Sequence, residues 1–267
     1  MYFPSFRTKK NGVPILKKTE IEAIAERFIS EFNPEAMQIP MEIDIDSFDL
    51  YYLGLKQDSQ YLSHNGVYLG MTVFNDTNKV PVYVPETNTA EYISAKARTI
   101  IIDSTLLEEN QEHRYRYTMG HEGGHDIFHR GYFSYNPNQR SLFDDASEQL
   151  IQCREVNTKG KTKPLAQWND KDTMEWQANY FSSALLMPKS MVLKSIQSLP
   201  PRQDIFRNAT YVHEVVRTFN VSSQAAEYRL KELGIIKEYN TDIYSLMNNK
   251  SLSKQLNGRL GRLFEMI

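Results

Sequence analysis

Residues 121–125 read His-Glu-Gly-Gly-His. On a helix, side chains four apart share one face about one turn apart, so the imidazoles of His121 and His125 can converge on one tetrahedral metal ion. Glu122 then projects beside them. From there its carboxylate reaches a metal-bound water without itself binding the metal, the position a general base requires. Zinc suits this chemistry, because it lowers the pKa of its water toward about 7 and makes a nucleophile available for a peptide carbonyl. Gly123 and Gly124 oppose the helical premise at about 1 kcal/mol each relative to Ala. Tight packing or close substrate approach would justify them.

A catalytic zinc takes three protein ligands and leaves one position open. His129 lies eight residues beyond His121, about 12 Å along a helix axis, too far for all three histidines to share one ion. It reads either as a histidine behind a ligand or as a core histidine. Glu175 is the stronger third ligand. It is flanked by Met174, Trp176, Ala178, Tyr180 and Phe181, a setting in which a carboxylate is costly to bury unless paired or bound to metal. The alternative is a surface glutamate paired with an arginine. Asn179 follows one turn later on the same face, where its amide oxygen can accept the free N–H of a ligating histidine and fix its tautomer.

Other chemistries fare worse. Cys153 stands between Gln152 and Arg154 in a polar stretch, and no Gly-x-Ser-x-Gly elbow occurs. A single cysteine can make neither an internal disulfide nor a cysteine-rich metal cluster, which suits a reducing compartment. Lys plus Arg is 31 and Asp plus Glu 33, a net charge of −2 that gives no electrostatic reason to expect nucleic acid or anionic membrane as partner. The first ten residues lack the apolar segment of a signal peptide and no apolar run approaches membrane-spanning length, so a cytoplasmic location is expected.

The elements that must position these groups are legible in outline. Thr19-Glu20-Ile21-Glu22 reads as a capping box opening a helix with Ile21, Ile24, Ala25, Phe28, Ile29 and Phe32 on one face, stopped by Asn33-Pro34. Strand character follows at Met41–Phe48, Val67–Phe74, Val80–Val84 and Arg98–Ile102. Asn75-Asp76-Thr77-Asn78 predicts a hairpin between the second and third of these, and Pro81 an edge position for the third. A helix is expected from about Glu112 to Gly131, then a polar insertion over 131–171, then a helix from about Asp172 closed by Pro188. Two further helices follow, around Val212–Phe219 and Ser222–Leu233, the last with Gly234 as its cap. The tail from Asn240 places Leu252, Leu256, Leu260 and Leu263 at roughly helical spacing.

The segments Tyr117-Thr118-Met119-Gly120-His121-Glu122-Gly123-Gly124-His125, Glu175-Trp176-Gln177-Ala178-Asn179-Tyr180-Phe181 and Leu185-Leu186-Met187-Pro188 together resemble the ImmA/IrrE family of metallo-endopeptidases. The similarity runs from about Thr19 to Gly234. It implies a gluzincin-like site with His121, His125 and Glu175 as ligands and Glu122 as general base. It also implies cleavage of a helix-turn-helix repressor rather than digestion. Glycine at both central motif positions and the polar insertion depart from the family pattern and bear on the shape of the cleft.

The expected fold is therefore α+β and zincin-like, with a small mixed sheet, an active-site helix carrying the motif, and a mostly helical remainder. Residues 1–188 are expected to form the peptidase core and residues 189–267 a helical region with a helix-turn-helix outline. The competing functions are a DNA-binding regulator and an anti-repressor that binds its partner without cutting it. Charge argues against the first: around the second helix of that outline Arg229, Lys231 and Lys237 are balanced by Glu227, Glu232 and Glu238, whereas phosphate contact needs a basic face.

Overall fold

The computed structural model describes residues 1–133, 150–154, 167–200 and 207–236. The chain divides into two compact units, Met1–Arg229 and Leu230–Ile267. Of the second unit the described part is the last turn of a helix and the bend after it, where Gly234 takes a φ of +71° and its N–H bonds to Lys231 O at 2.9 Å. The leucine pattern of the tail, residues 134–149 and 155–166 of the insertion, and Lys237 and Glu238 lie outside the described residues.

The first unit is built on a four-stranded mixed sheet. Its strands are β1 (Lys56–Gln60), β2 (Tyr68–Val73), β5 (Thr99–Asp103) and β6 (Leu150–Arg154), in the order β1-β5-β2-β6. β1 runs parallel to β5, while β2 is antiparallel to both β5 and β6. β3 (Thr77–Val84) and β4 (Thr89–Ala95) form a separate antiparallel pair. Side-chain alternation along a strand divides the two faces of the sheet. Met71, Val73 and Ile101 close a buried cluster with Leu62, Val80 and Val82, so the β3–β4 pair covers one face. Gly70 and Thr72 turn the other way, toward the helix that carries the motif.

The helices are α1 (Lys18–Phe32), α2 (Glu112–Phe133), α3 (Asp170–Leu186), α4 (Lys189–Gln197), α5 (Arg207–Phe219) and α6 (Ser223–Glu232). α3 opens with a capping box in which Asn169 accepts the Asp172 N–H at 2.8 Å and Asp172 accepts the Asn169 N–H at 3.0 Å. Aromatic rings join α1, α2 and α3: Phe28 meets Phe181 at 6.1 Å and Phe181 meets Phe128 at 5.2 Å between centroids. The fold is α+β, with a small mixed sheet, an active-site helix and a mostly helical remainder.

Three local expectations are corrected. Met41–Phe48 is not a strand. Ile43 and Ile45 are buried, but Asp44 accepts both the N–H and the hydroxyl of Ser47 and starts a helical turn that runs on as a π-helix over Ser47–Tyr52. That turn delivers Phe48 against Phe28 at 5.8 Å. The sheet's parallel edge is instead β1, whose sequence Lys-Gln-Asp-Ser-Gln carries no apolar alternation. β2 and β3 do not pair as a hairpin, because both sides of β2 are taken by β5 and β6. Finally, α1 starts after Lys17, with the Glu20 carboxylate accepting the Lys17 N–H at 2.7 Å. Glu22 takes no part in a cap, since Arg229 and Tyr180 bind its carboxylate.

Candidate active site

Two helices running in opposite directions form the site, and missing side chains let them approach. A Cβ at Gly124 would sit 3.1 Å from Phe181 Cδ1 and 3.3 Å from Ala178 Cα, and one at Gly120 would sit 2.8 Å from Ser182 Oγ. Gly123 faces elsewhere, its Cα covered by the Asp49 carboxylate. Thus the two motif glycines, unfavourable for the helix itself, allow packing on two sides.

At this closeness α3 presents Glu175 to the two motif histidines. One ligand atom from each of His121, His125 and Glu175 falls in a group whose members all lie within 4.8 Å of one another. The histidines are fully buried and Glu175 is partly exposed, 26 % by side chain. His121 Nε2 is 2.9 Å from His125 Nε2, and the Glu175 carboxylate oxygens stand 3.6 and 3.8 Å from these nitrogens.

Hydrogen bonding on the far side of each ring tests whether a metal fits. Tyr117 donates to the Asn179 main-chain O at 3.1 Å, and the Asn179 side-chain oxygen Oδ1, which can only accept, lies 3.1 Å from His121 Nδ1. His121 therefore carries its proton on Nδ1, and its Nε2 bears a lone pair. His125 Nδ1 lies 2.8 Å from His129 Nδ1, and His129 Nε2 lies 2.9 Å from Gln177 Oε1. Gln177 Nε2 donates onward to Pro14 O at 2.9 Å. With its proton on Nδ1, His125 too turns a lone pair inward. Two lone pairs and a carboxylate facing one point need a cation. Zinc bonds of about 2.0–2.2 Å join donors up to about 4 Å apart, and the separations of 2.9, 3.6 and 3.8 Å meet that bound.

Electrostatics favour the ligand form. Burial pushes His121 down to about 3, with nearby His129 adding to the effect and the Asn179 hydrogen bond opposing it. Burial likewise holds His125 well below the ordinary histidine range, helped by His121 and His129. Both are neutral at pH 7, as metal ligation demands. Burial also raises Glu122 well above the usual carboxylate range; the Thr72 hydrogen bond works against this and the charge of Glu175 works with it.

Glu122 is wholly buried between α2 and β2. Thr72 donates to Glu122 Oε2 at 2.5 Å. The other oxygen, Oε1, has no hydrogen-bond partner among the described residues. It occupies space that Gly70 leaves open, since a Cβ there would lie 2.6 Å from it. Neither Thr72 nor Gly70 was singled out by sequence reasoning, although an isolated glycine in a strand pattern is a sign of close approach. Gln177 carried no separate signal. Asp49, whose two oxygens also lack partners among the described residues, is the residue just after the expected strand Met41–Phe48 and carried no signal of its own.

Residues 158–231 match a family model described as IrrE N-terminal-like domain. The match includes α3 with Glu175 and begins downstream of the motif on α2. A comparison with curated proteins gives no match. Glu175 of the matching segment and His121, Glu122 and His125 of α2 come together in a cluster suited to a divalent metal ion such as zinc, the site of a zinc metallopeptidase.

Proposed function

We propose that this peptidase is regulatory and cytoplasmic, and that its substrate is a helix-turn-helix transcriptional repressor held as a protein partner while one peptide bond is cut. The observation that carries the catalytic part is the division of labour on Glu122, one oxygen tied to Thr72 and the other without a partner among the described residues, next to the ligand histidines on α2. The IrrE N-terminal-like match and the motif resemblance support the substrate class. The near-neutral charge speaks against nucleic acid, and among the described residues no helix is long and apolar enough to cross a membrane.

In this reading His121, His125 and Glu175 hold the zinc, Glu122 is the base, and residues 1–188 form the catalytic core. Zinc, when bound, supplies Lewis acidity that polarises a carbonyl and acidifies water. Glu122 accepts the proton of the attacking water on Oε1 while Thr72 keeps Oε2 in place, then returns it to the leaving amine nitrogen. Asn179 orients His121, and His129 stands behind His125, each fixing which ring nitrogen faces inward.

Selectivity comes from docking before chemistry. The insertion over 131–171 joins the two ligand helices, and the pairing of its β6 with β2 supports a place for it at the rim of the cleft. The test is to incubate the purified protein with helix-turn-helix repressors encoded near its gene, and with unstructured casein, with and without chelator. A discrete repressor fragment that disappears with chelator is expected, with casein cut far more slowly. Casein cut as fast as every repressor tried would overturn the assignment.

A further inference from the structure

We propose that Gln177, together with the main-chain carbonyl of Pro14, is a positioning element that fixes which nitrogen of His125 faces the metal, making the N-terminal hairpin part of the active site. The inference rests on the metallopeptidase reading above. A carbonyl oxygen can only accept, so it gives the hydrogen-bond chain a direction. Gln177 must turn its Nε2 toward Pro14 O, at 2.9 Å. Its Oε1 is thereby committed to His129, whose Nε2 at 2.9 Å must be the protonated nitrogen. A neutral His129 then has an acceptor at Nδ1, and the nitrogen 2.8 Å away, His125 Nδ1, must donate to it. The lone pair of His125 is left on Nε2, the atom beside His121 and Glu175. His125 and His129 are fully buried and Gln177 is 1 % exposed, so water does not compete at any step.

The carbonyl at the origin of this chain is itself anchored. Thr8 and Pro14 bridge a small hairpin, closed by the Lys9 N–H to Val13 O at 2.7 Å. Lys9 Nζ and Asn11 Nδ2 both bind the Asp170 carboxylate at the start of α3, at 2.5 and 2.6 Å. Gly12, at a φ of +93°, packs on the backbone of Tyr132 near the end of α2. The hairpin thus spans the two ligand-bearing helices and places its acceptor between them.

The experiment uses the full chain with ¹⁵N-labelled histidine, and reads imidazole tautomers by NMR in the metal-free protein and zinc affinity by chelator competition. Wild type should show His129 protonated on Nε2 and His125 on Nδ1, each as a single tautomer. Gln177→Met should mix the tautomers and weaken zinc binding by about 10–100-fold, while Gln177→Glu, which keeps an acceptor toward His129, should restore the His129 tautomer. Wild-type His125 protonated on Nε2, or a Gln177→Met protein with unchanged tautomers and zinc affinity within twofold, would overturn the proposal. Should Gln177→Met not fold, the wild-type spectrum decides alone. The expected tautomers in a wild-type protein that takes up no zinc would instead support the hydrogen-bond chain and overturn the metallopeptidase reading.

Discussion

Glu122 uses its two oxygens differently, and the consequences can be separated by substitution. Glu122→Gln keeps the shape and removes the base, so peptide cleavage should fall by several orders of magnitude, about 10²–10⁴-fold or more, with zinc content unchanged. Cleavage within tenfold of wild type would contradict the role. Asp49 presents the opposite case, a carboxyl against the Gly123 backbone with no evident chemical task. Burial raises it well above the ordinary aspartate range, and Asp46, Asp126 and Glu122 add to the rise. An acid whose folded pKa is raised contributes its full stability below the unfolded value, about 4, and loses it as pH climbs toward the folded value, at about 1.4 kcal/mol per unit. Asp49→Asn should therefore gain stability relative to wild type between pH 5 and pH 8 in denaturant titrations. Parallel pH profiles for the two proteins would refute this.

At the scale of elements, α2 and α3 work as a pair whose spacing is set by glycine. Gly124→Ala adds a methyl against Ala178 Cα and Phe181, and a backbone neighbour cannot swing aside. A loss of about 1–3 kcal/mol is expected, with weaker zinc binding as Glu175 is pushed away. Gly131, on the same helix, has nothing within 4 Å of an added Cβ. Gly131→Ala should gain up to about 1 kcal/mol from helix propensity alone; equal effects of the two substitutions on thermal melts would show that spacing does not matter. The ligand helices were readable in the sequence because a four-residue histidine interval has one helical meaning and Glu175 sits in an apolar setting. Strand pairing was not readable. The turn residues Asn75–Asn78 specify a reversal but not which strands flank it, and the polar β1 reveals its place only through its parallel partner β5. The same limit hid Thr72, whose importance lies in facing Glu122 across 50 residues of sequence.

Across the first unit, α1 and α6 are tied by an ion pair that no local pattern announces. Arg229 is fully buried and grips Glu22 through two hydrogen bonds, at 2.7 and 2.8 Å, while its Nε donates to Met187 O at 3.0 Å. Tyr180 of α3 donates to the same carboxylate at 2.7 Å. Removing one partner of a buried pair leaves the other uncompensated, so Arg229→Met should destabilise by about 3–5 kcal/mol. The double variant Glu22→Gln with Arg229→Met should lose less than the sum of the single losses; additivity in a double-mutant cycle would deny the coupling. All of these elements converge on one claim, that α2 and α3 together hold a metal ion. Its most direct measurement is the zinc content per chain of the purified wild type and of His125→Ala and Glu175→Ala. One zinc is expected in the wild type and its loss from both variants; zinc undiminished in both would contradict metal binding by α2 and α3.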